Sequence, residues 1–365
     1  MKRILSLDGG GIRGIFSLEI LLHIQQLLRD HFKAPERVLA DHFDFFAGTS
    51  TGAIIAACLG WGMPVEEIRA MYEEHGKAMF QPVSWRHPLR RLFVSRYDST
   101  KLSKMLRDTF SEDAEDGTGK VPSLLGTKHL KTLLLVVMRN HTTGSAWPIT
   151  NNPKAKYNQI DLPDSNLNIP LWQVVRASTA APVYFDPEEI MLGGKRHVFV
   201  DGAMTPYNNP SLIAALTAIL PCYNLSWETG PDKIRLISVG TIRFALGAAD
   251  KNVRRMWVGY NLPRIPLALI QGIGLEQDYL CRCLGQCRYG EELDDEIGNL
   301  ENVPLPGRNW FSYVRYNKSF LRKELEELLR QHPQLAKIDA VHAMPVLKDL
   351  GRSYAEECVK IEHLI

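Results

Sequence analysis

Short runs of apolar residues alternate with stretches of helical periodicity along the first two thirds of the chain. Each run predicts a buried strand, because a strand that is covered on both faces is apolar at successive positions. The predicted strands lie at 3–7, 43–47, 131–138, 197–200 and 234–239, and the predicted helices at 15–31, 52–60, 65–80, 99–110, 171–181 and 211–220. This alternation predicts an α/β fold with a mainly parallel sheet and a site at the strand ends.

Strand signals fade after residue 245, where the pattern becomes mostly helical apart from a Gly/Pro-rich break at 298–309. We therefore predict a core at 1–245 and a helical C-terminal region at 246–365, a candidate regulatory region. No internal repeat is found.

The second predicted strand runs directly into Gly48-Thr49-Ser50-Thr51-Gly52, and an Ala/Ile-rich helix follows. A serine in G-x-S-x-G between a strand and a helix lies on a sharp turn that exposes its hydroxyl, and the flanking glycines let the backbone bend. Ser50 is therefore a candidate nucleophile, close to the positive end of the helix. The alternative is an ordinary glycine-rich turn.

The first predicted strand ends in a glycine loop, Asp8-Gly9-Gly10-Gly11-Ile12-Arg13-Gly14. Its spacing matches the G-x-G-x-x-G of dinucleotide-binding folds, but the second strand lacks the acidic residue at its end that such folds require. The loop instead offers unobstructed backbone N–H groups beside Arg13, which suit negative charge. A simple tight turn is the alternative.

Charge and composition limit the classes of partner. The 43 Lys and Arg residues nearly balance the 41 Asp and Glu residues, giving a net charge of +2. The overall charge therefore does not favour binding of DNA or RNA polymers. The absence of a long apolar run and of a leader pattern predicts a cytoplasmic protein. Cys281, Cys283 and Cys287 cluster without a nearby histidine, which favours reduced thiols, and we predict no metal and no cofactor.

Aromatic and basic residues interleave at 83–97, in the sequence VSWRHPLRRLFVSRY. Such a mixture suits an anionic lipid surface, so the segment is a candidate membrane contact. The alternative is a partly buried loop with a solvated basic face.

Four separate blocks resemble the signature motifs of patatin-like phospholipases, in the same order and with similar spacing. They are DGGGIRG at 8–14, GTSTG at 48–52, RASTAAPVYF at 176–185 and DGAMTPYNNP at 201–210. The resemblance covers roughly residues 3–241 and implies a three-layer patatin-like fold. One departure is Ala203, where the family often has a second glycine.

The resemblance implies a Ser-Asp dyad formed by Ser50 and Asp201. It also implies an oxyanion hole from the glycine loop, with Gly9, Gly10, Gly11 and Arg13 as candidates and Gly48 and Gly52 as the glycines of the nucleophile turn. The implied substrate is a membrane glycerophospholipid, cleaved at the inner face of the membrane.

Two other classes stay open. An α/β-hydrolase triad is permitted by the chain order Ser50, Asp201 and then His332, His342 or His363. A non-catalytic lipid-binding or nucleotide-binding module would use the glycine loop only to hold phosphate, but it would not need Ser50.

The layout after residue 245 resembles bacterial patatin-like effectors of anti-phage signalling, which a cyclic oligonucleotide switches on. Guanidinium and aromatic groups that suit such an anion occur at Arg243, Arg254, Arg255, Trp257, Tyr260, Arg264, Arg282, Arg288 and Tyr289. The resemblance implies a cyclic di- or trinucleotide activator and a homo-oligomer. The alternative is that these residues are solvated charges on packed helices.

Overall fold

The computed structural model describes residues 1–79, 97–114, 117–159, 161–243, 265–301, 303, 309–320, 322–337 and 339–365. The strands are β1 Lys2–Leu7, β2 Phe45–Thr49, β3 Ser111–Asp113, β4 Lys120–Pro122, β5 Leu133–Asn140, β6 Ser145–Thr150, β7 Glu188–Leu192, β8 Lys195–Asp201, β9 Ile234–Val239, β10 Gln286–Tyr289 and β11 Ser312–Tyr316. The helices are α1 Gly14–Phe32, α2 Thr51–Trp61, α3 Val65–Met79, α4 Ser99–Thr109, α5 Leu171–Ser178, α6 Ser211–Ile219, α7 Ile265–Leu284, α8 Arg322–Gln331 and α9 Met344–Cys358.

Nine of these strands form one sheet in the order β10-β11-β9-β1-β2-β5-β8-β7, with β6 also paired to β5. The pairs from β10 to β5 are parallel, whereas β6 and β8 run antiparallel to β5, and β7 runs antiparallel to β8. This arrangement confirms the predicted α/β fold with a mainly parallel sheet.

Apolar cores cover both faces of the sheet, because neighbouring residues of a strand point to opposite sides. Leu5 and Phe46 belong to the core that holds α1, α2 and α9, whereas Ile4 and Phe45 belong to the core that holds α6. All residues of β9 are buried, including the polar residues Arg235 and Ser238. The result is the predicted layer of helices on each side of a central sheet.

Several elements differ from the sequence-based expectation. Strands β3, β4, β6 and β7 were not predicted, and the region after residue 245 contributes β10 and β11 to the edge of the main sheet as well as helices. Helix α5 ends at Ser178 because the chain turns before Pro182, where the Ala181 N–H donates to the Thr179 carbonyl. The division at residue 245 stays a prediction.

Within the described residues, no helix has the length and apolar character needed to cross a membrane. The candidate membrane segment at 83–97 lies outside the described residues except for Tyr97. Tyr97 is buried, and its hydroxyl donates to Asp339 Oδ2 at 2.6 Å.

Candidate active site

Ser50 lies on a strained turn between β2 and α2, with φ of 54° and ψ of −124°. Glycine is required on both sides of it, because a Cβ at Gly48 would lie 2.2 Å from the Gly52 carbonyl oxygen and one at Gly52 would lie 2.3 Å from the Leu7 carbonyl oxygen. A non-glycine residue at positive φ is strained and is typical of a functional turn. The local geometry is therefore that of a nucleophile elbow.

Ser178 supports this elbow from the end of α5. Its Oγ accepts a hydrogen bond from the Ser50 N–H at 2.9 Å and donates one to the Val137 carbonyl at 2.5 Å. Ser178 is fully buried, so its side chain has a fixed orientation between the two partners. The sequence does not indicate this role, because a serine among small residues does not show which backbone it contacts.

The Ser50 hydroxyl donates to Asp201 Oδ2 at 2.7 Å, although 151 positions separate the two residues. The other carboxylate oxygen, Oδ1, accepts from the Ala203 N–H at 2.7 Å, so Ala203 fulfils the role of the glycine that the family often has there. Burial raises the pKa of the Asp201 carboxyl to about 6, although the Ala203 and Ser50 hydrogen bonds and the charge of Arg176 lower it in part. A carboxylate with this pKa is a stronger base than a solvated aspartate and is still ionised at neutral pH.

The glycine loop lies against Ser50, since a Cβ at Gly9 would be 3.2 Å from Ser50 Cβ. The Gly9 N–H donates to the Asn208 carbonyl at 3.0 Å, so it is not free to bind an oxyanion, contrary to the expectation for Gly9. No such acceptor is found among the described residues for the N–H groups of Gly10 and Gly11. These two groups are the better candidates for an oxyanion hole.

Arg13 is buried and holds the glycine loop to the C-terminal part of the chain. Its Nη2 donates to the Leu335 carbonyl at 3.0 Å. Burial lowers the pKa of the Arg13 guanidinium to about 10, so the side chain keeps its charge at neutral pH. Arg13 lines the same cavity as Ser50.

Asp8, at the start of the loop, forms a buried bidentate ion pair with Arg315 of β11, with N–O distances of 2.8 and 2.5 Å. Arg315 also donates to Ser238 Oγ of β9 at 2.6 Å. The sequence did not predict this contact, because Arg315 lies 307 residues from Asp8 in a region without a clear strand pattern. The C-terminal region thus fixes the first residue of the glycine loop.

Ser50, Asp201 and the glycine loop line one cavity of about 770 Å³. Most of its exposed wall is apolar and includes Ile54, Leu102, Phe185, Ile242 and Leu275. Charged residues also line the cavity, among them Arg243, Asp278 and Glu291. A ligand with a long apolar part and a polar part matches this distribution.

Among the described residues, no histidine lines the cavity, and the three candidates for a triad lie elsewhere. His363 hydrogen-bonds through Nδ1 with the Tyr316 hydroxyl at 2.8 Å and stacks on Tyr289. His332 and His342 are likewise absent from the cavity wall. The geometry therefore favours a dyad over a triad.

The candidate nucleotide-binding residues are only partly described. Arg243 lines the cavity, whereas Arg288 is exposed on β10 and does not. Arg282 is held by Asp278 in a buried ion pair at 2.9 Å. Arg254, Arg255, Trp257 and Tyr260 lie outside the described residues, as does Arg264.

The sequence profile of patatin-like phospholipases matches residues 5–215 of this chain. The chain is 31% identical over 258 residues to calcium-independent phospholipase A2-gamma of Mus musculus, covering 66% of this chain and 28% of that protein. It is 27% identical over 259 residues to Patatin-17 of Solanum cardiophyllum, covering 66% of this chain and 60% of that protein.

A third relative is the cGAMP-activated phospholipase of Vibrio cholerae, which is 27% identical over 250 residues, covering 66% of this chain and 64% of that protein. The chain thus spans less than two thirds of the length of each of these relatives. The profile match extends over more than half of the chain and contains Ser50, Asp201 and the glycine loop. This chain belongs to the patatin-like phospholipase family.

Proposed function

We propose that this protein is a lipid acyl hydrolase that cleaves ester bonds of membrane glycerophospholipids through a Ser50–Asp201 dyad. The observation that carries the proposal is the 2.7 Å hydrogen bond from Ser50 Oγ to Asp201 Oδ2 at a strained elbow. The apolar wall of the cavity suits an acyl chain. Such an enzyme would act from the cytoplasm on the inner face of the membrane.

In this reaction, Ser50 Oγ attacks the ester carbonyl carbon while its proton passes to Asp201. The carbonyl oxygen becomes an oxyanion, which the N–H groups of Gly10 and Gly11 and the N-terminus of α2 stabilise. Asp201 then gives the proton to the departing alcohol oxygen of the lysolipid, leaving an acyl ester on Ser50. Asp201 then takes a proton from a water molecule, whose oxygen attacks the acyl carbon. The bond from this carbon to Ser50 Oγ breaks, the fatty acid leaves, and Asp201 returns the proton to Ser50 Oγ.

Two variants with matched controls test the dyad on phospholipid vesicles. Ser50→Ala and Asp201→Asn should each lower the rate of fatty acid release at least ~10³-fold, since each removes a group that acts in the chemical step. The controls are Ser145→Ala and Asp113→Asn, which change exposed residues of β6 and β3. Hydrolysis by Ser50→Ala at the wild-type rate would refute the role of Ser50 as nucleophile, whereas no hydrolysis by the wild type would leave a non-catalytic binding module.

The histidine variants test the triad in the same assay. His332→Ala, His342→Ala and His363→Ala should each retain most of the activity, because none of the three side chains lines the cavity. A loss as large as that of Ser50→Ala in any one of them would favour the triad instead.

We also propose that a cyclic di- or trinucleotide activates the enzyme as part of an antiviral response. The support comes from relatives in Vibrio cholerae and Escherichia coli whose names describe them as cGAMP-activated. A ligand activates only if it binds the active state more tightly, so the nucleotide should also favour the active oligomer. Low basal activity that one member of a cyclic nucleotide panel raises would support the proposal, and full activity unchanged by every member would refute it.

Arg243 needs a separate readout in that experiment, because it lines the same cavity as Ser50. If Arg243 binds the activator, Arg243→Ala should raise the nucleotide concentration needed for half-maximal activation. If Arg243 contacts only the substrate, the variant should instead change KM and leave that concentration unaltered.

A further inference from the structure

The chain makes a β-turn at Ala181-Pro182-Val183-Tyr184, next to the active site. The Tyr184 N–H donates to the Ala181 carbonyl at 3.1 Å, with Pro182 in the second position of the turn. Val183 occupies the third position with φ of 73°. Proline followed by a residue of positive φ is the arrangement of a type II turn, whose third position normally holds glycine or asparagine.

Valine is poorly suited to this conformation, because a β-branched side chain collides with the backbone at positive φ. Non-glycine residues in such strained backbone conformations occur mainly at functional sites. No packing contribution accounts for Val183, since 73% of the residue is exposed to solvent. The turn therefore holds an apolar side chain in water at the expense of stability.

Val183 stands at the cavity that holds Ser50, together with Pro182 and Met204. All three line the cavity, and all three are exposed, with Met204 42% accessible. We call these residues the apolar lip. Exposed apolar side chains that are continuous with the wall of a cavity suit an apolar partner that exchanges material with that cavity.

Asp201 connects both parts of the lip to the dyad. Its N–H donates to the carbonyl of Ala180, two residues before Pro182, at 2.9 Å. Its Oδ1 accepts from the N–H of Ala203, the residue before Met204, at 2.7 Å. The lip therefore has a fixed position relative to the reacting atoms.

We propose that the apolar lip inserts into the acyl region of a lipid bilayer and docks the cavity mouth on the membrane surface. This inference rests on the proposed function, in which the substrate is a membrane lipid. When the lip is buried among the lipid acyl chains, one lipid acyl chain can pass from the bilayer into the cavity without crossing water. The partner is the lipid surface itself, and no charged headgroup is needed for the contact.

Vesicle flotation in a Ser50→Ala background tests the lip without any hydrolysis. The vesicles are phosphatidylcholine, which has no net charge, so binding does not depend on a surface potential. Val183→Asp and Met204→Asp should lower the partition coefficient at least about tenfold, since burial of one such side chain changes an equilibrium roughly ten- to hundredfold. Met191→Asp is the matched control, because Met191 of β7 is 64% exposed but does not line the cavity.

Val183→Gly separates membrane insertion from a structural role. Glycine adopts positive φ without strain, so this variant should unfold at a higher temperature than the parent protein. It should nevertheless bind vesicles more weakly, because the inserted side chain is gone. A purely structural role for Val183 predicts no loss of vesicle binding in this variant.

Membrane insertion by the lip would be refuted if the parent, both lip variants and the Met191→Asp control floated equally. It would also be refuted if the parent protein did not float. Membrane insertion would also be refuted if the lip variants differed from the parent only in oligomeric state on gel filtration. That result would favour self-association. These outcomes are independent of the Ser50–Asp201 dyad, because every protein in the experiment lacks Ser50. The dyad is tested separately, by comparing fatty acid release from the enzyme with Ser50 intact and from Ser50→Ala.

Discussion

Replacing Asp201 by asparagine should stabilise the folded protein at neutral pH while it abolishes hydrolysis. Asparagine has nearly the same shape as aspartate, so its side-chain oxygen can keep the bond from the Ala203 N–H and its amide can donate to Ser50 Oγ. The substitution therefore removes the buried negative charge and keeps the hydrogen-bond partners. The loss of the buried carboxylate therefore raises the free energy of unfolding while it removes activity.

The size of the gain follows from the pKa of Asp201, which is about 6 in the folded protein and about 3.9 in an unfolded chain. Because the folded state holds the proton more tightly, wild-type stability falls as the pH rises between about 4 and about 6, and it stays low above that range. The difference between the two pKa values corresponds to about 3 kcal/mol. For a chain of 365 residues, this free energy raises Tm by roughly 4 °C.

Thermal unfolding of the wild type and Asp201→Asn at about pH 4 and about pH 8 measures this effect. The Tm difference should be small at the lower pH, where the wild-type carboxyl is protonated, and should reach its full size at the higher pH. Asp113→Asn, on an exposed residue, corrects for general effects of pH. A variant that is less stable at the higher pH, or equally shifted at both, would refute the reasoning.

Three further predictions concern the catalytic machinery. On a soluble ester, log kcat/KM should rise with pH up to about 6 and then level off, because Asp201 must be ionised; a flat profile below that pH would contradict its role as a base. Ser178→Ala should lower the free energy of unfolding, measured in urea, by about 1–3 kcal/mol, because the Ser50 N–H is left unpaired. The variant should also lower kcat more than it raises KM, and an unchanged kcat would show that the elbow needs no such support. Arg315→Met should destabilise by about 3–5 kcal/mol, because the Asp8 carboxylate stays buried without its cation; a smaller loss than that of Arg330→Met, which removes an exposed ion pair, would refute this.

The site was predictable where one short segment determines its own geometry. The G-x-S-x-G turn predicts the elbow because Gly48 and Gly52 must approach other backbone atoms closely, a requirement that is local to the segment. The β9 strand was predicted at its observed bounds, since four of its six residues are apolar. The Ser50–Asp201 pair was predicted only through the family resemblance, because their separation along the chain gives no geometric signal.

Contacts between distant segments could not be predicted. β10 has only four residues and Arg315 is the fourth of the five residues of β11, so neither shows the apolar run of a buried strand. Arg315 is compatible with the interior only because Asp8 neutralises it, and that pairing exists only after folding. In the same way, the Pro182-Val183 sequence does not predict a type II turn, because glycine is the usual residue at the third position.

The position of β11 beside β9 has a consequence for any attempt to separate the two predicted regions. A fragment that ended at residue 245 would contain the whole profile match and both dyad residues. It would nevertheless lose the partner strand of β9 and leave an apolar edge open to pairing with other chains. We expect such a fragment to aggregate, so deletion or recombination within the gene would not release an independent lipase.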